Sequence, residues 1–131
     1  MEKLIKTDEE WSKLLTQQQF LILREKATEE PFAGTLLKNS EKGVYSCIAC
    51  DNPLFTSEDK YDSGTGWPSF SQPLKKEAIQ IQPYKGEGLN GAEVLCNRCE
   101  GHLGHVFEDG PAPTGLRFCM NSAVLKFIKS E

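Results

Sequence analysis

Two stretches decide the fold: Gly43-Val44-Tyr45-Ser46-Cys47-Ile48-Ala49-Cys50 and Glu93-Val94-Leu95-Cys96-Asn97-Arg98-Cys99. Each leads a short strand-like segment into a Cys-x-x-Cys turn. Two residues between thiols let a tight turn present both sulfurs to one metal ion, and two such turns supply the four thiolates of a tetrahedral Zn2+ site. Binding requires deprotonated sulfur, so the metal offsets the cost of burying four thiolates. Asp51-Asn52-Pro53 and Glu100-Gly101 follow the pairs, as a chain turning sharply around a metal needs. The expectation is a structural Zn2+ on Cys47, Cys50, Cys96 and Cys99. A thioredoxin-like redox role for either pair needs a βαβ setting that neither has. Four thiolates leave no open position for water, which argues against a catalytic zinc. Two variants stay open: a histidine from His102 or His105 replacing one cysteine, and iron on the same thiolates.

Working outward, short apolar runs alternate with Gly, Pro, Asn and Asp after Gly34. Ala78-Ile79-Gln80-Ile81-Gln82 alternates with period two, and Leu116 to Ile128 is the longest strand-like region. Strands at this spacing with turn residues between them predict antiparallel β sheets. Before Gly34 the pattern is helical over residues 7–25. Thr7-Asp8-Glu9-Glu10 reads as a capping box, with Trp11, Leu14 and Leu15 at helical spacing. Thr16 to Gln19 repeats the cap, so a second helix starts there and carries Phe20 and Leu23 inward. Its end is expected in Thr28–Gly34, because Pro31 disfavours a helical Glu30. The whole reads as one mainly β domain, 1–131, with a helical cap over about 1–27 and a zinc-clipped β core over about 28–131.

The chain has 131 residues, 15 basic against 19 acidic side chains, and a net charge of −4. That balance, with no basic stripe, argues against a nucleic-acid partner and against an anionic membrane surface. No apolar run approaches the roughly 20 residues that span a bilayer. The N-terminus lacks the apolar core of a secretory signal. A cytoplasmic address follows as the default, and a monomer as the default state. Five cysteines, an odd number without an export signal, do not suggest a disulfide scaffold.

The fifth cysteine lies in Leu116-Arg117-Phe118-Cys119-Met120-Asn121. In a strand, Leu116, Phe118 and Met120 share one face, and Arg117, Cys119 and Asn121 the other. A cation on the thiol's own face favours thiolate and makes the sulfur reactive. The bland alternative is a small buried hydrophobe. After Asn121 the apolar parity flips to Ala123, Leu125 and Phe127, which predicts a bulge or bend near Asn121-Ser122. Three further segments share the polar character: His102-Leu103-Gly104-His105-Val106-Phe107, the Asp109–Gly115 loop, and Ser63-Gly64-Thr65-Gly66-Trp67-Pro68-Ser69-Phe70.

Together with Thr28-Glu29-Glu30-Pro31-Phe32 and the two cysteine pairs, these segments resemble the methionine-R-sulfoxide reductase B family. Gly-Trp-Pro-Ser-Phe, His-Leu-Gly-His and Arg-Phe-Cys-Met-Asn carry the resemblance, in family order, over about Thr28 to Phe127. It implies two antiparallel sheets, helices on the N-terminal side, and a zinc clip away from the catalytic face. It implies thiol-dependent reduction of the R epimer of methionine sulfoxide, free or in oxidised proteins. By position Cys119 would be the nucleophile, and Trp67 would hold the S-methyl group with Phe107 beside it. His102, His105, Arg117 and Asn121 would surround the sulfoxide oxygen and sulfur, with either histidine as proton donor. Many members carry a resolving cysteine inside the Ser-Gly-x-Gly-Trp segment, where this chain has Thr65. A one-cysteine enzyme is therefore expected. Its Cys119 sulfenic acid would be returned to thiol by thioredoxin, by glutaredoxin with glutathione, or by another external thiol. The competing readings are a non-catalytic binding module on the same scaffold and a zinc-ribbon nucleic-acid binder.

Overall fold

The computed structural model describes residues 1–83 and 88–130. Helix α1 spans Asp8–Leu14 and helix α2 spans Gln17–Glu25. Both open with the reciprocal caps that the sequence predicts. Thr7 Oγ1 accepts from the Glu10 amide while Glu10 Oε1 accepts from the Thr7 amide, and Thr16 and Gln19 repeat the exchange. Each box satisfies two otherwise orphaned amides and adds about 1 kcal/mol to a helix too short to stand alone. Trp11, Ile22 and Leu23 are buried, and burial of each aliphatic pair member contributes about 1.5–3 kcal/mol. Leu14 instead faces solvent, and Phe20 is only partly buried. Helix α2 ends at Glu25, as the pattern over residues 7–25 predicts, but for a different reason. Lys26 adopts a left-handed conformation (φ 61°) and the Ala27 amide bonds back to the Leu21 carbonyl. The helix is thus closed five residues before Pro31, whose effect on Glu30 is not needed.

Among the described residues nine strands follow: β1 (Gly43–Cys47), β2 (Pro53–Thr56), β3 (Lys60–Tyr61), β4 (Ser69–Phe70), β5 (Ile79–Gln82), β6 (Ala92–Cys96), β7 (His102–Phe107), β8 (Arg117–Met120) and β9 (Leu125–Lys129). They form two antiparallel sheets, β2-β1-β9 and β3-β4-β8-β7-β6-β5. The expected mainly β fold with two antiparallel sheets and N-terminal helices is what the chain adopts. An aromatic seam joins the sheets: Phe55 of β2 stacks on Phe70 of β4 at 4.4 Å, and Tyr45 of β1 meets the edge of the same ring at 5.1 Å.

The Leu116–Ile128 region is two strands rather than one. After Met120 the chain passes through Asn121 and a single 3-10 turn, Ser122–Val124, and re-enters as β9 in the other sheet. The parity flip in the sequence is this change of sheet. Phe118 and Met120 are buried before it, and Val124 and Leu125 after it.

The two Cys-x-x-Cys turns fold alike. In the first, the Asp51 amide donates to the Cys47 carbonyl and the Cys47 amide to the Asn52 carbonyl. In the second, Glu100 donates to Cys96, and Cys96 to Gly101. Asp51 and Glu100 both take positive φ, 62° and 63°, which closes each turn. The first turn ends β1 in the small sheet and the second ends β6 in the large one, so a shared ion would bolt the sheets together.

Candidate active site

Strand register places a line of polar side chains across the large sheet. Tyr61 pairs with Ser69, Ser69 with Cys119, Cys119 with His105, His105 with Glu93, and Glu93 with Gln82. In-register partners point to the same face, so these six positions share one face of the sheet. Cys119 sits near its centre, flanked by Ser69 and His105. Gly104 is required here, because a Cβ on it would overlap the Cys119 carbonyl oxygen across the β7–β8 pair.

A 240 Å³ cavity opens over Cys119, walled by Trp67, Phe107, His105, Arg117, Asn121 and Thr65, with Thr28 at its edge. The expected site residues converge there, with one exception. His102 is 2% exposed and does not line the cavity. Residues three apart in a regular strand face opposite sides. A bulge in β7, where Val94 pairs with Gly104 but Leu95 pairs with His102, skips Leu103 and returns His102 to the face of His105. The two rings meet edge to face, 5.2 Å between centroids. His102 Nδ1 lies 2.8 Å from Glu93 Oε2, and Lys26 Nζ donates to Glu93 Oε1 at 3.1 Å.

The electrostatics correct one expectation. Burial pushes the Cys119 thiol above its ordinary value, and the nearby Arg117 charge and Thr65 hydroxyl oppose this without overcoming it. Arg117 is already committed elsewhere. Its guanidinium binds Asp109 through Nε at 2.9 Å and its second nitrogen at 3.3 Å, and lies 4.3 Å from the Phe107 ring centre. Charge spent on that carboxylate is not fully available to the sulfur. His105 is held below the ordinary imidazole value, first by burial and then by the neighbouring His102, with Glu93 pulling the other way. Burial favours protonation of Glu93, but hydrogen bonds from His102 and Lys26 prevail and leave its carboxyl below the usual range.

Backbone contacts fix the walls. Trp67 Nε1 donates to the Glu29 carbonyl at 3.0 Å. Asn121 is buried, accepting from the Glu29 amide at 2.9 Å and donating to the Leu103 carbonyl at 3.0 Å. Glu29 itself accepts from the Ala123 amide through Oε1. The segment after α2 therefore pins the indole and the Asn121 amide together. Behind Thr65 runs a hydroxyl chain: Thr65 to Ser63 at 2.8 Å, Ser63 to Ser69 at 2.7 Å, and Ser69 to the Trp67 carbonyl at 3.1 Å.

Glu93 and Glu29 escaped the sequence reading. Glu93 carried a signal, since it is a lone charge inside the otherwise apolar run Ala92–Cys96. Glu29 lies in the Thr28–Phe32 segment of the resemblance, but its contacts with Trp67, Asn121 and Ala123 depend on how the loop after α2 returns to β8.

Away from the cavity, the Sγ atoms of Cys47, Cys50, Cys96 and Cys99 all lie within 4.8 Å of one another, and all four residues are buried. Sulfur separations are 3.7 Å for Cys47–Cys99 and 3.5 Å for Cys50–Cys96. A tetrahedron with metal–sulfur bonds of about 2.3 Å has edges of about 3.8 Å, so the donor set fits a four-coordinate structural metal. No cysteine of this cluster lines the cavity. Cys96 stands three residues beyond Glu93 on β6, roughly 10 Å along the strand.

Fold and site together define an antiparallel β protein with a four-cysteine cluster suited to a metal and, apart from it, a single cavity-lining cysteine. The SelR domain model matches residues 15–129, and the chain belongs to that family. Its relatives include proteins named peptide methionine sulfoxide reductase MsrB. That of Leptospira interrogans is 56% identical, over 95% of both chains. That of Methanosarcina barkeri is 52% identical over 96% of this chain and 89% of its own. The Hahella chejuensis protein is 51% identical over 100% of this chain and 94% of its own.

Proposed function

We propose that this chain reduces the R epimer of methionine sulfoxide, free or within oxidised proteins, as a one-cysteine enzyme. The observation that carries the reading is the convergence of Cys119, His105 and Trp67 on one cavity, with the other four cysteines gathered at a separate metal site. Membership in a family whose relatives bear the reductase name supports the reaction class. Trp67 and Phe107 form an apolar wall suited to a thioether methyl, because sulfur and methyl pack well on rings. The sulfur of Cys119 attacks the sulfoxide sulfur. The sulfoxide oxygen, a poor leaving group until protonated, takes a proton from His105, the histidine that reaches the cavity. The oxygen passes from the substrate sulfur to Cys119 Sγ: the substrate S–O bond breaks as the Cys119 S–O bond forms, the transient S–S bond breaks, and methionine leaves with its electron pair, so that Cys119 is a sulfenic acid. One thiol and one sulfoxide thus give one thioether and one sulfenic acid, a two-electron exchange.

A thiolate is the competent nucleophile, and burial disfavours it before substrate arrives. Proton movement from Cys119 toward His105 generates thiolate and general acid at once. Arg117 and the Thr65 hydroxyl hold the charge that develops on sulfur. Asn121 is locked to the backbone and acts by shaping the cavity floor.

Regeneration needs an outside thiol, because Thr65 stands where a resolving cysteine would be. That thiol attacks the sulfenic sulfur, releasing water and leaving a mixed disulfide, and a second thiol frees Cys119. Thioredoxin, glutaredoxin with glutathione, or a small dithiol fits this chemistry. Zn2+ on Cys47, Cys50, Cys96 and Cys99 would cross-link the two sheets and take no part in the reaction. Residues 1–131 act as one unit, with α2 packed against β7.

The test is an assay with separated R and S forms of a blocked methionine sulfoxide, dithiothreitol as reductant, and Cys119→Ser alongside. Consumption of the R form alone, abolished in the variant, is expected. A folded, metal-loaded protein that consumes neither form would leave the binding-module reading in its place.

A further inference from the structure

Behind the cavity lies a buried carboxylate–imidazole pair that the chemistry above does not use. Glu93 is 3% exposed and His102 is 2% exposed. Two anions or a stray charge would not survive there. The carboxylate is matched on one oxygen by Lys26 at 3.1 Å and on the other by His102 Nδ1 at 2.8 Å. An ionised carboxylate can only accept hydrogen bonds, so the proton in the 2.8 Å contact belongs to Nδ1. That leaves Nε2 as the other nitrogen of His102, buried and without a hydrogen-bond partner among the described residues. The same ring packs edge to face on His105, the ring that reaches the cavity in register with Cys119.

We propose that Glu93 is a positioning residue for sulfoxide reduction: it locks His102 in its Nδ1–H form and, through that ring, sets His105 over Cys119. The arrangement has three tiers on one sheet face, with Glu93 on β6, the two histidines on β7, and Cys119 on β8. Cys119 and His105 meet the substrate, while Glu93 and His102 stand behind them. The bulge that skips Leu103 exists in this arrangement to bring His102 to the same side as its partners. Lys26, at the left-handed cap that ends α2, closes the tier from above, which ties the end of that helix to the site. The logic is that of a carboxylate orienting a histidine through Nδ1, displaced one residue further from the reacting atoms.

This inference rests on the reductase reading, and the experiment separates the two. Metal-loaded full-length protein would be compared with Glu93→Gln and Glu93→Asp by two readouts. One is steady-state reduction of the R-sulfoxide at saturating reductant, normalised to the methionine released in a single turnover without reductant. The other is the tautomer of His102, read from long-range nitrogen–proton NMR correlations. In the wild type, His102 should carry its proton on Nδ1. Glu93→Gln should lower kcat by about 10- to 100-fold, the usual penalty for losing a carboxylate that orients a functional histidine, with KM within about threefold. It should also lose the single Nδ1–H form. Glu93→Asp keeps the charge with a shorter reach and should fall between the two. A merely structural role would reduce the fraction of active protein but not the normalised kcat or the tautomer. An active wild type whose His102 carries its proton on Nε2 overturns the assignment, even if Glu93→Gln does not fold. So does a Glu93→Gln variant with unchanged kcat. An inert wild type would instead overturn the reductase reading on which the assignment rests.

Discussion

Substitution of Gly104 by alanine should disable the site without touching any side chain in it. Gly104 lies on β7 opposite Met120 of β8, one residue from the His105–Cys119 pair. A Cβ built there stands 2.9 Å from Met120 Cα and 3.0 Å from the Cys119 carbonyl carbon, and overlaps the Cys119 carbonyl oxygen. Ordinary contact begins at 3.4 Å, so the strands must part by about 0.5 Å at the α-carbon and by more at the oxygen. All the obstructing atoms are backbone and cannot rotate away. Overpacking of this kind costs about 1–3 kcal/mol of stability. The greater effect is on geometry, because the moved segment is Cys119 itself relative to His105. A misplacement of about 1 Å at reacting groups costs about 100-fold in rate. The assay is kcat for the R-sulfoxide, with thermal unfolding recorded on the same sample. A Gly104→Ala protein that keeps wild-type kcat would show that the β7–β8 spacing does not set the reaction and would refute the argument.

Three further outcomes follow from the same geometry. Removal of metal by a chelator, or Cys96→Ser, should abolish the cooperative unfolding transition. Zinc-finger peptides gain about 10–16 kcal/mol from binding, comparable to the roughly 5–15 kcal/mol of a whole domain, and circular dichroism with metal analysis checks this. The pH profile of kcat/KM should be a broad plateau. Its acid limb falls below pH 6.5, where His105, held low, gains a second proton; its basic limb falls above pH 9, where Cys119, held high, has lost its own. A narrow bell centred between those limits would contradict the directions of both shifts. Trp67→Ala should lower kcat/KM by about 10-fold or more, the cost of losing an apolar pocket wall, and an unchanged value would remove the indole from substrate binding.

What the sequence revealed and what it hid divide along a physical line. Local rules were legible: Thr7-Glu10 and Thr16-Gln19 cap helices because their bonds span three residues, and Cys-x-x-Cys turns close on themselves. Strand parity correctly set Cys119 and Arg117 on the cavity side, and Phe118 and Met120 in the core. Non-local effects were not legible. The left-handed Lys26 that ends α2 donates its ammonium to a Glu93 sixty-seven residues away. The bulge that brings His102 beside His105 depends on how β7 pairs with β6, which no spacing within His-Leu-Gly-His discloses. The thiol's environment was misjudged for the same reason. The Arg117 neighbour is visible along the strand, but the Asp109 that claims it and the burial that outweighs it appear only on folding.

The central claim is that Cys119 alone carries the oxygen removed from methionine sulfoxide. Its most direct test is a single turnover with the R-sulfoxide and no reductant, followed by peptide mass analysis after trapping with a sulfenic-acid reagent. The account predicts one methionine released per active site, the trapping adduct on Cys119, and unmodified thiols at Cys47, Cys50, Cys96 and Cys99. A disulfide between Cys119 and any of those four, or methionine release with no mark on Cys119, would contradict it.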